Sequence, residues 1–359
     1  MKKNIRYTLR KIFRTCPPLT WLFIPVIRAK DVLDGKPLHK ALEKDIALFC
    51  SPSQQQDRAF LRRLKRDLWY SCLRYNCSFD EYFQFQFSLR SPAGRREFVT
   101  DAERVAACMP LVSPEMMSLF KNKWNTYQAL KEYYHRDAIK IDSEADYDSF
   151  LQFTNAHPLF IAKPLEDSCG NGVRIIEITT ETNLQELFRQ LAQEKVILEE
   201  KIIQCEALGK LHPASVNTIR CATFLKDGTV HILFTFLRIG QKNRVVDNGG
   251  AGGFFVHIDT ETGIADTPGV SESGEFAMIH PDTNVQILGF KVPRWEEMKE
   301  TAIKLSLSIP NQKYISWDLS LTDQGWVVVE GNCIGQFIGP QISTQRGTRE
   351  LLSRYFDLQ

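Results

Sequence analysis

The chain has 359 residues, 43% hydrophobic and 25% charged, a composition that excludes a disordered or collagen-like polymer and, at roughly 150 residues per domain, points to about two to three packed units. Forty-five basic residues against 43 acidic ones leave a net charge of +2, so nothing global argues for nucleic acid and no such partner is expected. The nine cysteines (Cys16, Cys50, Cys72, Cys77, Cys108, Cys169, Cys205, Cys221 and Cys333) contain no CxxC pair, which argues for reduced thiols and against a disulfide framework or a structural zinc site.

In chain order, Lys2, Lys3, Arg6, Arg10, Lys11 and Arg14 make the first segment basic. The apolar run from Leu19 to Ile27 behind it is too short for a bilayer, which takes about 20 residues. It does not read as a secretory leader, and a cytoplasmic protein is expected. Two readings of the segment stand. A basic helix leading into a buried anchor is favoured, because Pro17, Pro18 and Pro25 should interrupt a helical moment. The lesser one is peripheral contact with an anionic membrane.

From about Lys30 to Phe120 the pattern is helical, with Leu38, Leu42, Ile46 and Phe49 at helical spacing, then Phe60, Leu61, Leu64, Leu68 and Trp69 after a break at Ser51 and Pro52. Arg58, Arg62, Arg63, Lys65 and Arg66 read as a solvated helix face before an acidic-ligand site, and Tyr82, Phe83, Phe85 and Phe87 as core. After Asn155 short β-rich runs follow at Leu159–Ala162, Val173–Ile178, Val196–Leu198, Ile219–Leu225, Val230–Leu237 and Trp326–Val329. Helices are expected at Leu184–Gln193, Arg294–Ser308 and Arg346–Tyr355. Strands this short with so few helices imply largely antiparallel sheets in an α+β domain.

Three constellations carry chemistry. Lys163 ends a strand and is followed by Ser168, Cys169, Gly170, Asn171 and Gly172, so an ammonium and loop N–H groups can meet phosphates, although an ordinary hairpin loop would look the same. Neither GxxxxGK[ST] nor GxGxxG occurs. Second, Val196 to Leu198 run into Glu199, Glu200, Lys201 and Ile202, with Glu206 beyond; backbone groups there can meet an adenine edge and a carboxylate a ribose, or the glutamates simply end a strand. Third, Ile315 to Leu319 and Trp326 to Asn332 read as neighbouring strands that bring Asp318, Glu330 and Asn332 together. These are hard oxygen donors suited to Mg²⁺, and no basic residue within that hairpin offers a salt bridge instead.

In this order the three constellations resemble the ATP-grasp superfamily, most closely its sugar-transfer-associated branch, over roughly Phe120 to Phe337. The resemblance implies an ATP-grasp fold, two α+β lobes around ATP, after a mainly helical N-terminal region: 1–118 helical, 119–205 the small lobe, 206–359 the large lobe with the metal-binding hairpin. It implies Lys123 and Lys163 on the phosphates, with Ser168, Gly170 and Gly172 in the covering loop. Glu199, Glu200, Lys201 and Ile202 become the adenine hinge, Glu206 the ribose acid, and Asp318, Glu330 and Asn332 the ligands of two Mg²⁺ ions. Arg220, in a segment with Asn217, would hold a carboxylate or a transferring phosphoryl group, and Arg238 resembles the γ-phosphate cation. Asn248, in the run from Asp247 to Gly253, would line the loop over the acceptor, or that run is a wide hairpin.

The implied activity is ATP-dependent carboxylate–amine ligation through an acylphosphate, with Lys163, Arg220 and Arg238 as the catalytic cations. The implied partners are ATP, a uronic-acid sugar or glycan acceptor, an amino acid or amine, and glycosyltransferase machinery or a membrane surface met through the basic N-terminus. A sugar kinase, or a non-catalytic ATP-binding component of glycan assembly, are the alternatives. Of the histidines, His157 and His280 read as turn residues and His212 as the one acceptor-site candidate.

Overall fold

Helix starts dominate the first part of the chain. Pro17 and Pro18 open the helix Pro17–Leu33, where a missing N–H costs nothing. Ser51 caps Pro52–Gln56, and the Asp57 carboxylate accepts N–H groups from Ala59 (2.8 Å) and Phe60 (2.9 Å) to open Arg58–Tyr75. A computed structural model describes residues 16–166, 172–242, 247 and 252–358. Its contacts divide the chain into Met1–Ala107 with Gln336–Gln359, and Cys108–Gly335. Gln336–Gln359, which the resemblance implies to be part of the large lobe, cluster instead with the helical unit.

In the helical unit, Leu42, Ile46, Leu64, Leu68 and Trp69 are buried while Arg58, Arg62, Arg63 and Arg66 are exposed, as a solvated basic face requires. Tyr82, Phe85 and Phe87 are buried with Phe98, whose ring lies 4.8 Å from that of Phe85. Two expectations are corrected. Pro25 does not break the first helix; it lies within it on the exposed side, so only a solvent-facing hydrogen bond is forgone. The expected helix Arg346–Tyr355 shrinks to Arg349–Leu352 after an unforeseen Ile338–Thr344. Gly347 runs against the Glu97 backbone, and the Arg349 N–H bonds the Glu97 carbonyl instead of a helical partner.

The second unit holds two antiparallel sheets. The smaller orders β1 (Ala138–Ile141), β4 (Val196–Glu200), β2 (Leu159–Pro164) and β3 (Arg174–Glu177). One of its faces packs Phe160, Ala162, Val196 and Leu198 against Phe150, Phe153 and Phe188 of the helices Tyr147–Ala156 and Leu184–Glu194. Alternation leaves Lys163 and Glu199 on the other face.

The larger sheet runs β11 (Gly325–Asn332), β10 (Tyr314–Thr322), β5 (Thr218–Lys226), β6 (Thr229–Ile239), β7 (Phe254–Ile258), β8 (Gly269–Ser271) and β9 (Phe276–Ala277). Ile219, Cys221, Leu237, Ile239, Trp317 and Leu319 share a core with the helices Lys123–Tyr134 and Trp295–Ser308. Period two therefore turns Arg220, Arg238 and Asp318 to the opposite face. All eight described cysteines are free thiols. No helix among the described residues is long and apolar enough to cross a membrane.

Candidate active site

Register builds a row of charge across four strands. Asp318 of β10 pairs with Arg220 of β5 on one side and Glu330 of β11 on the other, and Arg238 of β6 pairs with Thr218, two residues from Arg220. Directly opposed residues project from the same face, so all four side chains share it. Straight alternation along β11 would not have achieved this, because Trp326 and Val328 lie in the core. The pairing shifts between Asp318 and Leu319, leaving Val329 as an extra residue, and this bulge re-aims Glu330 and Asn332 toward the site. Gly331 then faces the core, where an added Cβ would lie 2.7 Å from Trp317 and 2.9 Å from Phe120.

The Asp318 carboxylate is 2% exposed. Arg220 grips it with Nε on Oδ1 at 2.6 Å and Nη2 on Oδ2, and Arg238 adds Nη1 on Oδ2 at 2.8 Å. The sequence reading found no base in the hairpin itself and is corrected here, since the two neighbouring strands supply both. Burial pushes the Asp318 carboxyl up, but the two guanidiniums outweigh it and hold it below the usual carboxylate range. Arg238 also pairs with Asp247 at 3.0 Å, and Thr218 donates to Asp247 from both its N–H and its hydroxyl. Burial nonetheless raises Asp247.

Glu330 accepts no hydrogen bond among the described residues, and burial followed by the Asp318 charge raises its carboxyl. Lys123 is the first cation to oppose that rise, while its ammonium donates to the Pro164 carbonyl at 3.1 Å. Among the described residues, Asn332 Nδ2 is buried with no hydrogen-bond partner, as is the hydroxyl of Ser316, directly opposite it in the ladder. Half a turn of that amide would present its oxygen instead. Two carboxylates and an amide, one carboxylate unbonded and the amide with a free atom, form a donor set that suits Mg²⁺.

On the smaller sheet, Glu199 is buried between Lys163 (2.9 Å) and Arg136, whose Nε donates at 2.8 Å. Burial opposes its ionisation, yet the two cations hold its carboxyl at about 2. Arg136 also donates to the Val328 carbonyl at 2.6 Å, tying this pair to β11. Arg136 and the ion-pairing role of Asp247 escaped the sequence reading. Arg136 stands just before β1, a strand too short to announce itself, and the glycine run drew attention away from Asp247.

Other expected residues are placed as follows. Glu200 accepts from the Asp137 N–H at 3.2 Å, and Lys201 and Ile202 lie in the irregular stretch after β4. Glu206 is exposed and pairs with Lys210 at 2.6 Å. Gly172 has φ +69°, and an added Cβ would lie 2.7 Å from Pro164 Cγ. Ser168, Gly170 and Asn248 lie outside the described residues.

Asn217 is a correction. Its side chain is wholly buried, Nδ2 donating to the carbonyls of Leu208 (2.8 Å) and His212 (2.9 Å) while Oδ1 accepts from the Gly240 N–H (3.3 Å), so it clamps a turn and cannot reach a nucleotide. His212 is likewise structural, held between the Ser215 hydroxyl (2.8 Å) and the Lys242 carbonyl (2.6 Å). His280 is no turn residue on the surface: it is fully buried on the Gly240 carbonyl at 2.8 Å, and burial lowers its basicity.

A family model described as sugar-transfer associated ATP-grasp matches residues 109–355. No curated protein matches the chain. Among solved structures, the chain is similar to D-alanyl-alanine synthetase A from Vibrio cholerae O1 biovar eltor, at 11% identity over 68% of this chain and 62% of that one with a TM-score of 0.40. N5-carboxyaminoimidazole synthetase from Staphylococcus aureus complexed with ADP aligns at 13% identity, 62% and 47% coverage and a TM-score of 0.40. L-amino acid ligase from Bacillus licheniformis aligns at 14% identity, 65% and 44% coverage and a TM-score of 0.40. The chain thus spans less than two thirds of the length of each of these structures.

Proposed function

The chain belongs to the sugar-transfer associated ATP-grasp family, and from that membership we propose that it is an ATP-dependent ligase joining a carboxylate to an amine. The observation that carries the reading is the row Arg238, Arg220, Asp318 and Glu330 across four adjacent strands, which places cations and hard oxygen donors side by side on one face. Lys123 and Lys163 take the phosphates of ATP, and the run with Ser168, Gly170 and Gly172 serves as the phosphate-covering loop. Glu199 orients Lys163, Glu200 to Ile202 border the adenine and Glu206 takes the ribose. Asp318, Glu330 and Asn332 would hold Mg²⁺, as two ions, which when bound neutralises charge on the phosphates.

An oxygen of the acceptor carboxylate bonds the γ-phosphorus as the bond to the ADP oxygen breaks. The amine nitrogen then bonds the acyl carbon, phosphate leaves with its oxygen, and the nitrogen gives up a proton. Arg220 and Arg238 stabilise the charge spread over the transferring phosphoryl group and the acceptor, and no protein nucleophile is required. The acceptor is a uronic acid in a sugar or in a cell-surface polysaccharide precursor such as capsule, and the amine an amino acid or simple amine; the family's sugar-transfer setting supports this. Membrane attachment concerns the helical unit and not this site.

The test is ADP release from Mg-ATP with a panel of uronic acids, nucleotide-linked uronates and amino acids, the products weighed by mass spectrometry beside an Asp318→Asn control. ADP, free phosphate and a condensed product that has lost water are expected. A phosphorylated sugar would make the protein a kinase, and nucleotide binding without turnover across the panel would make it a binding component.

A further inference from the structure

The helix Pro17–Leu33 turns an apolar stripe to solvent although Phe23 and Ile27 already lie half-buried on its inner side. At about 100° per residue, Pro18, Leu22, Pro25, Val26, Ala29 and Leu33 fall within one narrow arc, and all six are exposed. Leu22, Val26 and Leu33 are 68%, 59% and 86% exposed, values that leave these side chains essentially in solvent. The inward face holds Ile24 together with two polar residues, Thr20 and Asp31.

The helix is also fixed in this orientation. The Asp31 carboxylate accepts from the N–H groups of Leu38 (2.8 Å) and His39 (3.0 Å), capping the next helix, Pro37–Phe49. Trp21 stacks on Tyr70 with ring centroids 4.6 Å apart, and the Arg66 guanidinium lies 5.6 Å above the Trp21 ring. Rotating the stripe inward would break the cap and the Trp21–Tyr70 stack.

Cations lie beside the stripe. Arg28 and Lys30 flank it, Lys30 in a pair with Asp34 at 2.6 Å, and Arg62, Arg63 and Arg66 are exposed on the neighbouring helix. The sequence ahead of it, residues 1–14, carries six basic residues and no acidic one. An apolar stripe rimmed by cations, with an aromatic at its edge, is complementary to a bilayer bearing anionic headgroups. A helix of 17 residues is about 25 Å long, and no described helix is long and apolar enough to cross a membrane.

We propose that the outward stripe of Pro17–Leu33, centred on Leu22 and Val26, is a docking surface for an anionic membrane. It is independent of the reaction proposed above, since the surface belongs to the helical unit and its assay needs no turnover. The test is co-sedimentation of the full chain with vesicles of phosphatidylcholine alone or mixed with phosphatidylserine, at low and high salt. Binding is expected only to the mixed vesicles, weakened by salt. It should fall at least about tenfold in a Leu22→Glu/Val26→Glu variant whose melting temperature is unchanged, because those side chains are largely exposed. Leu22→Trp should tighten it. No binding to mixed vesicles overturns the proposal, as does binding that neither variant alters, which would leave the basic segment alone responsible. A wild-type dimer that the double variant dissolves, without vesicle binding, would assign the stripe to a second copy and equally overturn it.

Discussion

Asp318 is the residue on which the site turns. It serves as counter-ion to Arg220 and Arg238 and stands in the donor row, so Asp318→Asn should act twice. ADP formation should fall at least about 100-fold, the scale of losing a principal electrostatic group. The fold should weaken by about 3 kcal/mol, because a buried guanidinium loses its compensating charge. Urea unfolding of the variant checks the second effect separately from the first. Glu199 offers a pH counterpart. Its carboxyl sits at about 2 against an ordinary 4.5, so its ion pairs contribute stability that is complete above that ordinary value and is lost as pH falls toward 2. Arg136→Leu should move the acid-unfolding midpoint to higher pH, and at neutral pH should cost about 3 kcal/mol. A midpoint that stays put would mean Lys163 alone holds the charge.

At the scale of elements, the bulge at Val329 decides which way β11 points. Gly331 shows how little room the core side leaves, and Gly331→Ala should cost about 1–3 kcal/mol by forcing Trp317 or Phe120 to move, measured by denaturant unfolding. Most elements were legible: the helices Pro37–Phe49 and Arg58–Tyr75 from their 3.6-residue spacing, and β2 to β6 from β-branched runs between turns. β1, β8 and β9 have four, three and two residues, too short for period two to rise above chance. The helix expected at Arg346–Tyr355 failed for a different reason, since at Gly347 a backbone partner far away in sequence outbids the local one.

For the molecule as a whole, the second unit offers a cation on its smaller sheet, Lys163 held by Glu199, and donors on its larger, with Asp318 and Glu330. A nucleotide and Mg²⁺ together should therefore raise the melting temperature more than either alone. About 2.7 kcal/mol is expected at a hundredfold excess over Kd. EDTA should remove the magnesium-dependent part. An ADP shift indifferent to EDTA would show that Asp318, Glu330 and Asn332 do not hold a metal.

The sequence by itself determined the α+β class, the antiparallel strands, the family resemblance and the candidate donors Asp318, Glu330 and Asn332, because these depend on local periodicity and on residue type at short spacing. Only the tertiary structure decided who neutralises whom. Arg220 and Arg238 meet Asp318 across strands some 80 to 98 residues away in sequence, and Arg136 reaches Glu199 over 63. It decided too that Asn217 is a buried clamp and that Leu22 and Val26 face outward, for burial is a property of what the rest of the chain covers and no local pattern carries it.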